Sequence, residues 1–215
     1  MLDLTLTAGW FLPSNDAGIW VGVNLEKKIS KQLSAHVTQE FRFNENWSEL
    51  GAFFTELSGE YRLSKAFSIA AGYRFINKRN LDDSYSKRHR FIAEANARKK
   101  FGNVNAALWV SYQSQYKDYT SSAEGQVPDN YLRTRLKLKY DLNKKYAPFI
   151  SGESFFYMNR PDGILFNNYR LVCGAEYEFS KKSSVEAAFI FNREVNISDP
   201  WTSYILGVGW NYVLK

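Results

Sequence analysis

Several absences narrow the reading of this sequence. A single cysteine, Cys173, in 215 residues excludes an internal disulfide. With only two histidines besides, His36 and His89, no zinc-type ligand set can be assembled. Apolar runs such as Tyr204-Ile205-Leu206-Gly207-Val208-Gly209-Trp210 stop far short of the roughly 20 residues that a membrane-spanning helix requires. No stretch sustains a helical period. No glycine-rich loop has the spacing that cradles a phosphate, and no loop carries the dense alternating carboxylates of a calcium site. The expectation is therefore no cofactor and no metal. Nor does a basic, apolar leader precede Leu2-Asp3-Leu4-Thr5-Leu6. An exported protein needs one, so the sequence reads as a mature chain with a start methionine added.

What the sequence has is alternation. In Tyr131-Leu132-Arg133-Thr134-Arg135-Leu136-Lys137-Leu138-Lys139-Tyr140, strand geometry sends successive side chains to opposite sides. Leu132, Leu136, Leu138 and Tyr140 share one side, and Arg133, Arg135, Lys137 and Lys139 share the other. Four cations on one face need water or carboxylate partners. The pattern recurs along the chain and predicts twelve strands, near 2–11, 18–27, 31–43, 50–63, 66–78, 88–100, 103–117, 130–142, 147–158, 168–179, 184–194 and 203–214. Tight turns follow the even-numbered predicted strands and longer loops the odd ones, which describes an up-and-down meander. With twelve strands both termini fall at the tight-turn end. Without the first, the count is odd and the termini separate.

The two faces differ in kind. One is oily: Phe53, Leu57 and Tyr61; Phe67, Ile69 and Tyr73; Phe91, Ala93 and Ala95; Leu206, Val208 and Trp210. The other is charged, with both signs mixed: Glu40, Arg42, Glu56, Glu60, Arg74, Arg90, Glu94, Arg98, Arg133, Arg135, Lys137, Glu153, Arg170, Glu176 and Glu186. Periodicity alone admits two arrangements. In a membrane barrel the oily face meets lipid and the charges line a lumen. In a soluble lipocalin-like barrel or sandwich the oily face is the core. Three features favour the membrane. The predicted strands run about 10–13 residues, long for soluble strands and suited to a bilayer, which takes about 9–11. Aromatic residues, 17% of the chain, gather towards strand ends as in interfacial girdles. Glycines (Gly22, Gly72, Gly174, Gly207 and Gly209) punctuate the charged face and leave room there for long side chains. A mean hydropathy of −0.42 does not oppose this, because a polar interior offsets an oily exterior. The expected fold is all-β: one up-and-down antiparallel transmembrane β-barrel domain over residues 1–215.

A series of short motifs then carries a resemblance. Glu40-Phe41-Arg42-Phe43-Asn44, Gly72-Tyr73-Arg74-Phe75, His89-Arg90-Phe91, Tyr131-Leu132-Arg133-Thr134-Arg135-Leu136, Pro148-Phe149-Ile150-Ser151-Gly152-Glu153 and Tyr169-Arg170-Leu171-Val172-Cys173-Gly174 occur in that order. The array resembles a family of uncharacterised Gram-negative outer-membrane barrels, a domain of unknown function, from about Trp20 onward. The resemblance implies an outer-membrane barrel and brings no established activity. Gly209-Trp210-Asn211-Tyr212-Val213-Leu214 looks like the terminal-strand signal read by the barrel-assembly machinery, although the trailing Lys215 departs from a final aromatic.

Charge is distributed by end. The tight turns are basic, as in Lys27-Lys28-Ile29-Ser30-Lys31 and Lys99-Lys100-Phe101-Gly102, whereas the longer loops lean acidic, as in Asn44-Glu45-Asn46-Trp47-Ser48-Glu49. The net charge of +6 is thus spread over one end and one strand face. It is not gathered into the groove that a nucleic-acid partner needs.

Two chemical readings follow. The lumen charges form either a paired network that holds the barrel round or a narrow polar conduit. In the conduit the wall of Arg133, Arg135, Lys137 and Lys139 favours anions. His36 reads as a lumen filler and Cys173 as a small hydrophobe on the oily face. The second reading is enzymatic. If Phe101-Gly102 is a two-residue turn, Lys100 pairs with Asn103 and His89 lies opposite Ser114. Symmetric closure of the 79–87 loop puts Asn77 beside His89. The row Asn77–His89–Ser114 has the residue types of a lipid-facing hydrolase and resembles the dyads of outer-membrane phospholipases and lipid A deacylases. A slip in register destroys it, and no oxyanion hole is apparent. The leading expectation is a non-enzymatic barrel: structural, a small polar-solute pore, or an accessory subunit of an envelope complex. Outer-membrane lipid and the assembly machinery are its expected partners.

Overall fold

A computed structural model describes residues 15–80, 82–117, 127–143, 145–161 and 163–214. Eleven strands occur among them: β1 (Asn15–Lys28), β2 (Leu33–Asn44), β3 (Glu49–Arg62), β4 (Phe67–Arg79), β5 (Tyr85–Phe101), β6 (Val104–Lys117), β7 (Asp129–Tyr140), β8 (Tyr146–Arg160), β9 (Gly163–Ser180), β10 (Ser183–Glu194) and β11 (Thr202–Leu214). Each pairs with its sequence neighbour in antiparallel fashion, and β1 closes the barrel against β11. That closing pair is parallel, running from Asn15 opposite Thr202 to Lys27 opposite Leu214. Through that pairing eleven strands, rather than twelve, close the ring, and the stretch 2–11 lies outside the described residues. An odd count brings the first and last strands together in the same direction. β1 starts at the long-loop end and β11 finishes at the tight-turn end.

Solvent exposure decides between the two arrangements. Phe91 is 53% exposed, Leu57 55% and Ile150 59%, while Glu153 is 6% exposed. The oily set forms the outer wall and the charges lie within, so the oily core of a soluble lipocalin-like barrel is not adopted. A 13-residue strand such as β4 or β11, tilted by about 45°, spans about 30 Å, the thickness of a hydrocarbon core.

Local chemistry sets the turns. Phe101 pairs with Val104, so the turn residues are Gly102 and Asn103, and Gly102 takes a φ of +57°. Glycine supplies positive φ without steric cost, which places it first in the turn. The 160–163 join is tighter than predicted. In place of a loop over 159–167, β8 and β9 run on until Arg160 pairs with Gly163, across register shifts at Phe155/Phe156 and Tyr157/Arg160. Phe156 and Phe166 pack against each other outside with tilted rings (centroids 5.3 Å apart) and extend the hairpin. The inward glycines do not all make room. A Cβ at Gly174 would collide with the Ala187 carbonyl and with Ala188, so glycine there permits close backbone approach, whereas Gly209 faces open space.

Candidate functional site: the charged lumen

Alternation from each strand brings the inward charges into three groups along the barrel axis. Towards the tight-turn end, cations and carboxylates on non-adjacent strands meet inside the lumen. Lys137 on β7 reaches Glu186 on β10 (2.7 Å), Lys139 reaches Glu176 on β9 (3.1 Å), and Arg98 on β5 reaches Glu60 on β3 (3.1 Å). His36 lies 4.0 Å from Glu60. Glu94 lines the adjoining cavity with Arg135.

At mid-height the chemistry changes. Four guanidiniums interleave with three aromatic rings. Arg74 lies 4.0 Å from the Phe54 ring centre, and Arg42 lies 5.2 Å from the same ring and 3.9 Å from Trp20. Arg170 sits 4.7 Å from Trp20 and 5.2 Å from Phe155, which Arg133 also approaches at 5.2 Å. Such face contacts favour a planar cation and fix its orientation. Three carboxylates serve this belt. Glu56 accepts two nitrogens of Arg74, Nε at 2.6 Å and Nη2 at 2.5 Å. Glu40 accepts Arg42 Nε at 2.6 Å. Glu153 accepts both Arg133 (2.8 Å) and Arg170 (3.2 Å), with Arg135 at 3.9 Å. The direct cross-strand registers Glu56 opposite Arg74 and Glu153 opposite Arg170 bring these pairs together.

On the loop side of the belt, Arg90 donates to amides. Its Nε and Nη2 reach Gln115 Oε1, and its Nη1 reaches Gln113 Oε1 at 3.2 Å. Buried Asp129 accepts a hydrogen bond from Tyr157 (3.0 Å) nearby.

Cavities run the length of this interior. A mouth of about 640 Å³ at the tight-turn end is lined by Lys65, Arg98, Lys100 and Lys139 among others. It shares Trp109 and Lys137 with a lumen cavity of about 580 Å³. That cavity shares Trp20, Arg42, Phe54 and Arg74 with a second one of about 390 Å³. The second shares Asn44, Lys78 and Arg88 with a mouth of about 750 Å³ at the long-loop end. Cations line all four.

The lipid-facing row is not assembled. His89 lies opposite Phe75 on β4 and Tyr116 on β6, Ser114 lies opposite Phe91, and Asn77 lies opposite Lys87. Each predicted pairing is off by two residues, which keeps the face and moves the partner. Gly102-Asn103, rather than Phe101-Gly102, makes the β5–β6 turn, so Lys100 pairs with Asn105 and not Asn103. On the other side Arg79 pairs with Tyr85, which closes the β4–β5 loop one residue earlier than symmetric closure of 79–87 requires. Tyr73 instead hydrogen-bonds His89 Nδ1 at 2.6 Å, and Ser114 donates to Asn130 at 2.7 Å. Ser114, His89 and Asn77 therefore have separate partners.

Sequence reasoning missed the inward aromatics Trp20, Phe54, Trp109, Phe149 and Phe155. A signal existed, because Phe54 stands two residues from Glu56, and Phe155 two residues from Glu153. The phase of the charged face, carried through each strand, turns them inward.

A closed all-β barrel with an oily exterior and an ionic interior is the architecture of outer-membrane barrels. Comparison with solved structures agrees. The chain is similar to the translocator domain of the autotransporter NalP from Neisseria meningitidis, with 16% identity, a TM-score of 0.54 and coverage of 92% of this chain and 84% of that one. At that identity the likeness concerns the fold. The chain belongs to the DUF2490 family, described as proteins of unknown function, whose model matches residues 17–203. Comparison with the curated proteins finds no match.

Proposed function

We propose that this protein is a non-enzymatic, porin-like barrel of a Gram-negative outer membrane whose lumen conducts small anions. One observation supports this reading above the others: the run of adjoining cavities from one mouth to the other, with lysine and arginine in every lining and in excess over carboxylates in all but the central cavity, where the two are equal. A cationic wall in a confined space raises the local concentration of anions and opposes cations. In a purely structural network each cation would be matched by a carboxylate, and the mid-height belt is not matched in that way. Outer-membrane lipid surrounds the wall, and the barrel-assembly machinery inserts it. The basic tight turns then face the periplasm, where an envelope-complex partner has access to them.

Planar-bilayer recording of the purified protein tests the proposal. The expected result is a small ohmic conductance whose reversal potential in a KCl gradient lies on the chloride side. Absence of current above background, or cation selectivity, removes it.

A further inference from the structure

The belt at mid-height has a composition that points to what it takes up. Four guanidiniums (Arg42, Arg74, Arg133 and Arg170) meet three carboxylates (Glu40, Glu56 and Glu153). One positive charge remains, and just beyond the belt Arg90 donates to the neutral amide oxygens of Gln113 and of Gln115, whose cross-strand partner is buried Asp129. Donors also remain. Arg42 donates Nε to Glu40, and among the described residues its two terminal nitrogens make no further hydrogen bond. Arg74 gives Nε and Nη2 to Glu56 and keeps Nη1. These two guanidiniums flank the Phe54 ring where the two lumen cavities adjoin, so anything passing between the cavities meets both. Contact with the Phe54 and Trp20 rings, together with the carboxylate bonds, restricts both guanidiniums and presents their unused N–H groups to the lumen.

We infer that this belt is the filter of the conduit and takes a tetrahedral dianion of the hydrogen phosphate or sulfate class. Several acceptor oxygens match the several spare N–H groups, and oxyanion geometry fits guanidinium forks better than a spherical halide does. An anion bridging Arg42 and Arg74 also offsets their mutual repulsion. The inference rests on the conduit reading, and the test separates the two.

The test is calorimetric titration of the detergent-solubilised barrel with sodium phosphate, sodium sulfate and sodium chloride, alongside bilayer recording in KCl with phosphate added. Saturable binding of phosphate or sulfate is expected, with chloride at least about tenfold weaker, since a charge-assisted fork is lost. Added phosphate should reduce the chloride current over the same concentration range. Arg42→Lys and Arg74→Lys keep the charge and remove the fork. Each should weaken dianion binding about tenfold while anion selectivity in KCl persists. Ser114→Ala, on the lipid face, should bind as wild type. Heat-modifiable migration on gels verifies that each variant is folded, and the wild-type comparison of phosphate with chloride needs no variant. Chloride conduction without saturable dianion binding, or binding indifferent to both lysine variants, overturns the filter and leaves the conduit. Binding without any conductance overturns the conduit, and with it the filter.

Discussion

The two halves of the lumen use the same alternating strands to opposite ends. Near the tight turns, Lys137–Glu186, Lys139–Glu176 and Arg98–Glu60 match one cation to one carboxylate between non-adjacent strands. At mid-height, guanidiniums outnumber carboxylates and lean on Trp20, Phe54 and Phe155 instead. Matched pairs tie non-adjacent strands together at no net charge. An unmatched belt leaves a field for a mobile anion to satisfy, and aromatic faces carry part of the cost of holding cations together. Choice of partner therefore separates scaffold from filter inside one barrel.

Removing the acid shared by the belt should have the largest effect. Glu153→Gln leaves Arg133 and Arg170 without their carboxylate in a site where Glu153 is 6% exposed. The expected loss of unfolding free energy is about 3 kcal/mol, read from urea titration in lipid vesicles, together with stronger anion selectivity. A loss no larger than that of a matched pair would erase the difference between the halves.

The matched half should respond less. A double-mutant cycle of Lys137→Met and Glu186→Gln should give a coupling of about 1 kcal/mol or less, because both side chains keep contact with water. Either single change should shift selectivity without abolishing conduction.

Smallest is the rim. Lys100 and Asn105 hydrogen-bond the Asp141 carboxylate (2.7 and 2.9 Å), which holds its pKa below the ordinary value. A carboxyl depressed in the folded state contributes stability above its unfolded pKa and loses it as pH falls through the folded value. Wild type should therefore lose slightly more stability than Asp141→Asn as pH falls from about 5 to about 3. The measurement is the urea midpoint at each pH. Equal slopes would mean that the rim pair is inert.

Much of the fold was legible because strand alternation has a period of two and needs no knowledge of partners. Inward Arg135 and outward Leu136 follow from their own neighbours. Register was not legible, because it depends on turn geometry. Reading Phe101-Gly102 in place of Gly102-Asn103 moved Ser114 next to His89 and created a row that the barrel does not contain. The glycine was the usable clue, since positive φ belongs at the first turn position. The belt was illegible for a different reason. Arg74, Phe54, Arg42, Trp20, Arg170, Phe155 and Arg133 come from β1, β2, β3, β4, β7, β8 and β9, and no sequence spacing encodes contacts made across a lumen. The eleven-strand ring depends on the parallel seam of β1 with β11, which alternation within either strand does not specify.

All of this rests on which face meets hydrocarbon, and Cys173 reports on it. It is the single cysteine of the chain, and it lies exposed on the outer wall. Its labelling by a water-soluble maleimide should be slow when the barrel is in lipid vesicles and rapid once the protein is unfolded in urea. Labelling in intact vesicles as fast as in the unfolded chain would put the outer wall in water and contradict the membrane barrel.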